Sequence, residues 1–162
     1  MSQDKFKLRK LHGAYRTLLI CILLSMLIGY LLTLLQVYEH TGFSASQVIL
    51  NYRGSPNPDL MAIAKPYREV LQNTHAHIFS VPLLYFILGA IFLGAGLSVV
   101  LKQTLIVLLF SGHVLEYTAL WLLRYVHEDY IWLCFGAHGL TGSIFFIMIV
   151  INLIELCGRR IE

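Results

Sequence analysis

Charged residues are scarce in this chain of 162 residues: they make up 13% of it, whereas hydrophobic residues make up 57%. Soluble globular domains usually carry about 25% charged residues. The apolar residues fall into four blocks of about twenty residues, the length that takes a helix across roughly 30 Å of hydrocarbon. Because these blocks nearly fill the chain, the sequence predicts one integral membrane domain, residues 1–162, without a separate soluble domain.

Two further absences exclude other classes. The formal net charge is only +3, and membrane topology accounts for it, so nothing indicates a nucleic-acid partner. The three cysteines, Cys21, Cys134 and Cys157, form neither a CxxC pair nor a CxxCH motif. A zinc knuckle and covalent c-type haem attachment are therefore not indicated, and the cysteines are interpreted as small apolar packing residues.

The predicted fold is all-α: an up-down four-helix membrane bundle with one outer loop, residues 39–77, that contains a short helix capped by Ser44. The first apolar block is too long for the core of a signal peptide and lacks a small-residue cleavage site, so we expect it to be retained. Tight turns are expected at Lys102-Gln103 and at 124–130. The predicted spans are residues 17–37, 78–101, 104–123 and 131–153.

Orientation follows from the positive charges, which favour the cytoplasmic side. Four spans put the following on one side: Lys5, Lys7, Arg9, Lys10, Arg16, Lys102, Arg159 and Arg160; Asp4 is the single acid among residues 1–16. The other side carries most of the acids, namely Glu39, Asp59, Glu69, Glu128 and Asp129. We therefore expect a multi-pass protein of the bacterial inner membrane with both termini in the cytoplasm. Tyr38, Tyr67, Tyr125, Tyr130 and Trp132 would form the outer aromatic belt.

Seven histidines are many for so apolar a chain. His12, His40 and His127 fall in the tail, the loop and a turn, where solvated side chains are expected. The other four come from three different helices: His75 and His77 lie at the outer end of the second predicted span, near the headgroup boundary, His113 lies in the third span and His138 in the fourth. The helical rise puts His138 roughly 10 Å and His113 roughly 15 Å below the outer surface. Ionisable groups inside a membrane are costly and normally face the interior, where they serve a function.

Histidines on different helices of an apolar bundle are typical of b-type haem, whose iron takes an imidazole from each side. His138 could pair with His77, with His75 or with His113. Positions i and i+2 of a helix point about 200° apart, so only one of His75 and His77 faces the core, and we favour His77. Gly112, Gly136, Gly139 and Gly142 could make room for the macrocycle, or they could simply let helices approach closely.

Glu116 lies three residues after His113, on the same helical face. It could carry protons to a quinone near the haem, join His77, His113 and His138 in a copper or zinc site, or be a protonated acid bonded to His113 or Tyr117. A di-iron site is not indicated, because the Glu-x-x-His order is reversed and no second carboxylate lies well inside a span. Arg53, Arg68 and Arg124 could pair with haem propionates, lipid headgroups or nearby acids.

Two stretches carry a resemblance: Thr41-Gly-Phe-Ser with Asn51-Tyr-Arg-Gly54, and Thr74-His-Ala-His-Ile-Phe. Over roughly the first hundred residues the chain is similar to a family of small bacterial four-helix inner-membrane proteins of no established function. Its layout also resembles four-helix membrane b-type cytochromes, which implies haem bound by His77, His113 or His138. This second likeness concerns architecture only, and architecture does not determine function.

The leading hypothesis is a non-catalytic electron-transfer subunit that holds haem b near the outer face. It would link the quinone pool to a periplasmic cytochrome or another membrane subunit. A histidine-based transition-metal binding or transport protein is the first alternative. A structural subunit whose outer loop docks a larger complex is the second.

Overall fold

The computed structural model describes residues 7–55, 57 and 61–158, and these are helical apart from turns and loops. The helices are α1 (Gly13–Thr41), α2 (Ala45–Arg53), α3 (Tyr67–Phe92), α4 (Val99–Tyr125) and α5 (Tyr130–Cys157), with a 3-10 turn at Leu8–Lys10. Because α1, α3, α4 and α5 are long and apolar enough to cross a membrane, the predicted all-α bundle with four spans is confirmed. Several charges of the orientation argument lie outside the described residues: Asp4, Lys5, Asp59, Arg159 and Arg160.

The turn between α3 and α4 lies earlier than predicted. The second span was expected to reach residue 101, with a turn at Lys102-Gln103, but α3 ends at Phe92 and α4 begins at Val99. Gly94 and Gly96 interrupt the helix inside a run that is otherwise apolar. Apolar composition concealed the break, because hydropathy does not distinguish a helix from a short buried turn.

Ser98 and Lys102 stabilise this turn. The hydroxyl of Ser98 accepts a hydrogen bond from the amide of Leu101 at 3.3 Å, the usual role of serine at a helix N-cap. One turn into α4, Lys102 Nζ donates to the carbonyl of Leu93 at 2.8 Å. The lysine that was predicted to form the turn therefore caps the end of α3 from within α4.

The loop face of the bundle, the end that carries residues 42–66, is covered by α2. Val48, Ile49 and Tyr52 of α2 pack on a buried cluster between α4 and α5 that includes Ala119, Leu123, Ile131 and Cys134. The predicted short helix is thus present, although the Ser44 hydroxyl contacts Ser46 Oγ at 2.8 Å and makes no cap bond. Burial raises the pKa of Tyr52 to about 12, so this phenol stays neutral beneath the ammonium group of Lys65.

Two arginines fasten the loop face through backbone carbonyls. Arg53 Nη1 donates to Leu123 O at 3.0 Å, and Arg124 Nε donates to Lys65 O at 2.9 Å. The residues after α2 return beside its end, where a Cβ on Gly54 would lie 2.6 Å from the amide nitrogen of Ala64. This close approach requires glycine, which also adopts φ +74° here.

The termini face, the opposite end of the bundle, is closed by residues that precede α1. Leu8 is buried, and its amide donates to the carbonyl of Gly94 at 3.0 Å. Arg9 binds the carboxylate of Glu155 through two bonds of 2.6 and 3.1 Å. The N-terminal segment therefore joins the α3–α4 turn to the end of α5.

Among the four spanning helices, α5 is the most buried and α1 the least. Helix α5 packs against α1, α3 and α4, and its contact with α4 is the most extensive. A Cβ on Gly112 would lie 2.6 Å from Thr141 Cγ2, so this glycine permits the close approach of α4 and α5. Helix α1 packs mainly on α5 rather than on α3, which leaves space between α1 and α3.

Candidate functional site

A cleft of about 640 Å³ fills the space between α1 and α3, with α4 and α5 as its floor. Its volume lies within the range of roughly 300–1,000 Å³ that holds small molecules and cofactors. The polar side chains that line it include His77, Tyr85, His113, Glu116, Tyr117, His138 and Thr141. Three predicted site histidines and the predicted glutamate, from three helices, thus border one cleft.

His138 and Glu116 form the shortest polar contact of the cleft. His138 Nδ1 lies 2.7 Å from Glu116 Oε1, which joins α5 to α4. The contact holds the ring of His138 in place. Because the imidazole is bonded at Nδ1, its Nε2 stays available for a ligand. One of the three interpretations of Glu116 was a bond to His113 or Tyr117 on its own helix. The structure shows His138 of α5 as its partner instead, because helix spacing says nothing about a partner on a neighbouring helix.

His77 lines the cleft from α3, whereas His75 does not. His77 Nδ1 lies 3.0 Å from the carbonyl of Asn73, one turn earlier in α3. Its ring lies 5.9 Å from that of Tyr117. His75 instead stacks edge-on against Phe79 at 5.3 Å. The two histidines therefore point to different sides of α3, as their spacing requires.

His113 is almost completely buried, with 2% of its surface exposed. Its ring lies between those of Tyr85 and Tyr117, at 5.5 and 5.0 Å. Within the described chain, its Nε2 has no hydrogen-bond partner. Burying an imidazole nitrogen unpaired costs free energy, so His113 presents an unused donor or acceptor at the floor of the cleft.

The structure does not bring the predicted arginines to the cleft. Arg124 and Arg53 bind the carbonyls of Lys65 and Leu123 at the loop face, and Arg68 lies exposed in the first turn of α3. The interpretation of these residues as propionate partners therefore gains no geometric support.

The structure also does not support a metal site with several protein ligands. Within residues 7–55, 57 and 61–158, no group of three or more His, Cys, Asp or Glu side chains is close enough to hold one ion. The described residues therefore do not gather three of the predicted ligands around one ion. The remaining histidines are remote, and His127 contacts Asp129 at an exposed turn.

The four predicted glycines serve different purposes. Gly112 permits close packing of α4 and α5, and Gly142 borders the cleft, where its missing Cβ leaves room for the hydroxyl of Tyr30. Gly136 and Gly139 face open space and do not line the cleft. Only Gly142 is thus placed where extra room benefits the cleft.

The sequence analysis did not include α1 in the site. Cys21, Ser25 and Gly29 line the cleft from α1, and their spacing of four residues aligns them on one face. A stripe of small residues in an otherwise leucine-rich span was the available signal. Tyr30 borders the same wall and contacts Phe145 across the cleft at 5.7 Å.

The cleft is open along α1 and α3. Helix α2 packs on α4 and α5 at the loop face, and Leu8 binds the α3–α4 turn at the termini face. The lining residues Ser25 and Gly29 of α1, and His77 and Leu84 of α3, remain exposed. Since these helices cross the membrane, the opening between them faces lipid.

Comparison with curated proteins and with solved structures gave no match. Residues 42–162 match the model of a family described as a transmembrane helical domain. The matched region contains α2 to α5, and with them His77, His113, Glu116 and His138. It covers more than half of the chain and agrees with four helices able to cross a membrane. The chain is therefore a multi-pass membrane protein that belongs to the Aq_1264_TM transmembrane helical domain family.

Proposed function

We propose that this protein is a membrane electron-transfer subunit that would hold haem b in the cleft, where Nε2 of His138 would bind the iron. The contact between His138 Nδ1 and Glu116 carries the proposal. Histidines that bind metal commonly donate their other ring N–H to a carboxylate, which fixes the tautomer and raises the basicity of the ligand. Haem in such a pocket supplies one-electron chemistry, while the protein orients it and excludes water.

The remaining histidines of the cleft support this proposal. His77 has its Nδ1 beside a backbone carbonyl, so its Nε2 is also available. His113 has a buried Nε2 without a partner in the described chain. One of these two residues would be the second protein ligand. The apolar remainder of the cleft, including Ile22, Met26 and Phe145, suits the face of a macrocycle.

The cellular setting belongs to the same proposal. We place the termini in the cytoplasm of a bacterium and the loop face in the periplasm, on the distribution of lysine and arginine. Electrons would pass between the quinone pool in the bilayer and a redox partner at the periplasmic side. The lateral opening of the cleft supports exchange with the bilayer, because a ligand dissolved in lipid reaches it without crossing α2.

Haem titration of the detergent-solubilised protein tests the proposal. We expect a Soret band that saturates at one haem per chain, and α and β bands on reduction. His138→Ala should abolish them, whereas His75→Ala, a histidine outside the cleft, should leave them unchanged. Absence of a Soret band from the unsubstituted protein, even with excess haem, contradicts the proposal.

A variant pair at Glu116 tests the observation on which the proposal depends. Glu116→Ala removes the acceptor of His138 Nδ1 and should weaken haem binding about 10- to 100-fold, the usual effect of losing such a partner. Glu116→Gln keeps a side-chain oxygen at this position and should cost less. Glu69→Gln, at the exposed loop-face end of α3, is the matched control. Equal haem affinity of all three variants would remove Glu116 from the site.

A quinone is the second candidate occupant, and the lateral opening favours it. At one end of the cleft, histidine, tyrosine and glutamate side chains could form hydrogen bonds with the carbonyl or hydroxyl oxygens of a quinone, while the rest of the lining is apolar. Calorimetric titration with a short-chain quinone distinguishes the two occupants. Saturable quinone binding by protein that takes up no haem would favour this alternative.

A further inference from the structure

The loop between α2 and α3 exposes two large apolar side chains outside the spanning helices. Met61 is 88% and Ile63 89% exposed. Between and after them, Ala62 and Ala64 face Gly54, and the amide of Ser55 donates to the carbonyl of Ala62 at 2.9 Å. Met61 adopts a φ of +44°. The backbone contacts of Ala62 and Ala64 with Gly54 and Ser55 leave the side chains of Met61 and Ile63 exposed.

The height of this loop is fixed by one bond to α4 and one to α2. The Lys65 carbonyl accepts from Arg124 in the last turn of α4, and the Lys65 amide donates to Tyr52 O at 3.2 Å. An extended residue spans at most about 3.6 Å, so Ile63 lies within about 7 Å of this level. The loop cannot extend far from the ends of the spanning helices.

Aromatic residues mark the same level as a membrane interface. Tyr67 packs edge-on against Trp121 at 5.7 Å, and Trp121 lies beside Tyr125 at 5.4 Å. Tyr130 and Trp132 begin α5 at the same end. Tryptophan and tyrosine concentrate at the boundary between hydrocarbon and headgroups. Met61 and Ile63 thus project at headgroup depth.

A cation beside these residues has no partner in the described parts of the chain. Arg53 and Arg124 bind carbonyls, and Lys65 lies 3.4 Å from Glu69. Arg68, in the first turn of α3, is exposed and makes no hydrogen bond or ion pair there. Its neighbours Tyr67 and Leu71 are also exposed, at 59% and 44%. A free guanidinium next to exposed apolar groups matches the chemistry of an anionic lipid, phosphate above and acyl chain below.

We propose that residues 61–68 form an interfacial anchor for the bilayer at the loop face. Met61 and Ile63 insert between headgroups, and Arg68 binds a lipid phosphate. The anchor holds α2 and its loop down over the ends of α4 and α5. It is independent of the occupant of the cleft, so either proposal can fail without the other.

A fluorophore in nanodiscs tests the insertion of the loop. The full-length protein, with Cys21→Ser and Cys157→Ser, carries an environment-sensitive label at Ile63→Cys. Gln47→Cys, on the exposed side of α2, is the matched control. We expect lipids with a nitroxide at headgroup depth to quench the label at position 63 and not the label at 47. Equal, weak quenching at both positions would overturn the anchor and leave the loop to an aqueous partner.

The lipid phosphate is tested by composition. The ratio of phosphatidylglycerol to phosphatidylcholine retained by the purified protein is measured after reconstitution in a mixture of the two. Arg68→Gln should lower this ratio about fivefold, the effect of one basic residue near an anionic surface, and Arg68→Lys should preserve it. Repetition with inorganic phosphate as competitor distinguishes a lipid site from a general anion site. The role of Arg68 is overturned if inorganic phosphate abolishes the preference for phosphatidylglycerol. It is also overturned if Arg68→Gln leaves the lipid ratio unchanged.

Discussion

Individual residues account for most of the contrast between the predicted and observed site. Helix geometry predicted that only one of His75 and His77 faces the core, because residues two apart cannot share a face, and His77 was preferred because it lies two residues deeper in the span. The partner of Glu116 could not be predicted in this way. It depends on the rotation of α5 about its axis, and a span that is apolar on nearly every side carries little information about rotation.

Asn152 of α5 illustrates the same difficulty. It is fully buried, and both atoms of its amide lack a hydrogen-bond partner in the described chain. Sequence reasoning passed over it, since one asparagine near the end of an apolar helix is usually at the interface. Its neighbours Met148 and Ile149 are equally buried, so the amide is embedded in an apolar core.

Replacement of this amide should therefore stabilise the protein. An unsatisfied buried polar group costs about 1–3 kcal/mol, and leucine has the same branched shape as asparagine, so Asn152→Leu should raise the thermal unfolding midpoint in detergent. Asn152→Ala removes the amide but leaves a cavity, and should gain less or lose stability. A lower midpoint for Asn152→Leu would show that a bound water or another group satisfies the amide.

At the scale of elements, the four spans were predictable because the length of an apolar block is set by membrane thickness. The α3–α4 turn was not, because its two glycines lie in an apolar run. The positions of the glycines in the sequence did not predict which of them permit close approach of two helices and which face open space. Gly112 packs against Thr141, whereas Gly136 meets nothing within 4 Å. Their surroundings, which the sequence does not contain, decide the difference.

These two glycines give an opposed pair of predictions for helix packing. Gly112→Ala places a methyl group 2.6 Å from Thr141 Cγ2 and should destabilise the bundle by about 1–3 kcal/mol, the usual cost of overpacking. Gly136→Ala should be neutral or stabilising by up to about 1 kcal/mol. Both effects are measured as shifts of the thermal midpoint in detergent.

The double variant Gly112→Ala/Thr141→Ser identifies the cause. Serine keeps the hydroxyl of Thr141, which donates to Ala137 O at 3.0 Å, and lacks the methyl group that would clash. The double variant should recover most of the loss. If Gly112→Ala alone leaves the thermal midpoint unchanged, α4 and α5 can separate more easily than their contact indicates.

For the whole molecule, charge asymmetry predicts which face meets the cytoplasm. In cells that express cysteine variants lacking the three native cysteines, an impermeant maleimide should label Gln47→Cys at the loop face. It should label His12→Cys at the termini face only after permeabilisation. Labelling in the opposite order would invert the proposed orientation.

The first helix stands apart from the rest of the molecule. Helix α1 ends at Thr41, and the match to the family begins at residue 42. The cleft thus lies along the joint between a shared unit and one more loosely packed helix. Any occupant would touch both sides of that joint, and at a hundred times its Kd it would add about 2.7 kcal/mol to their association. In addition to any redox role, the ligand would therefore stabilise the packing of α1 against the rest of the bundle.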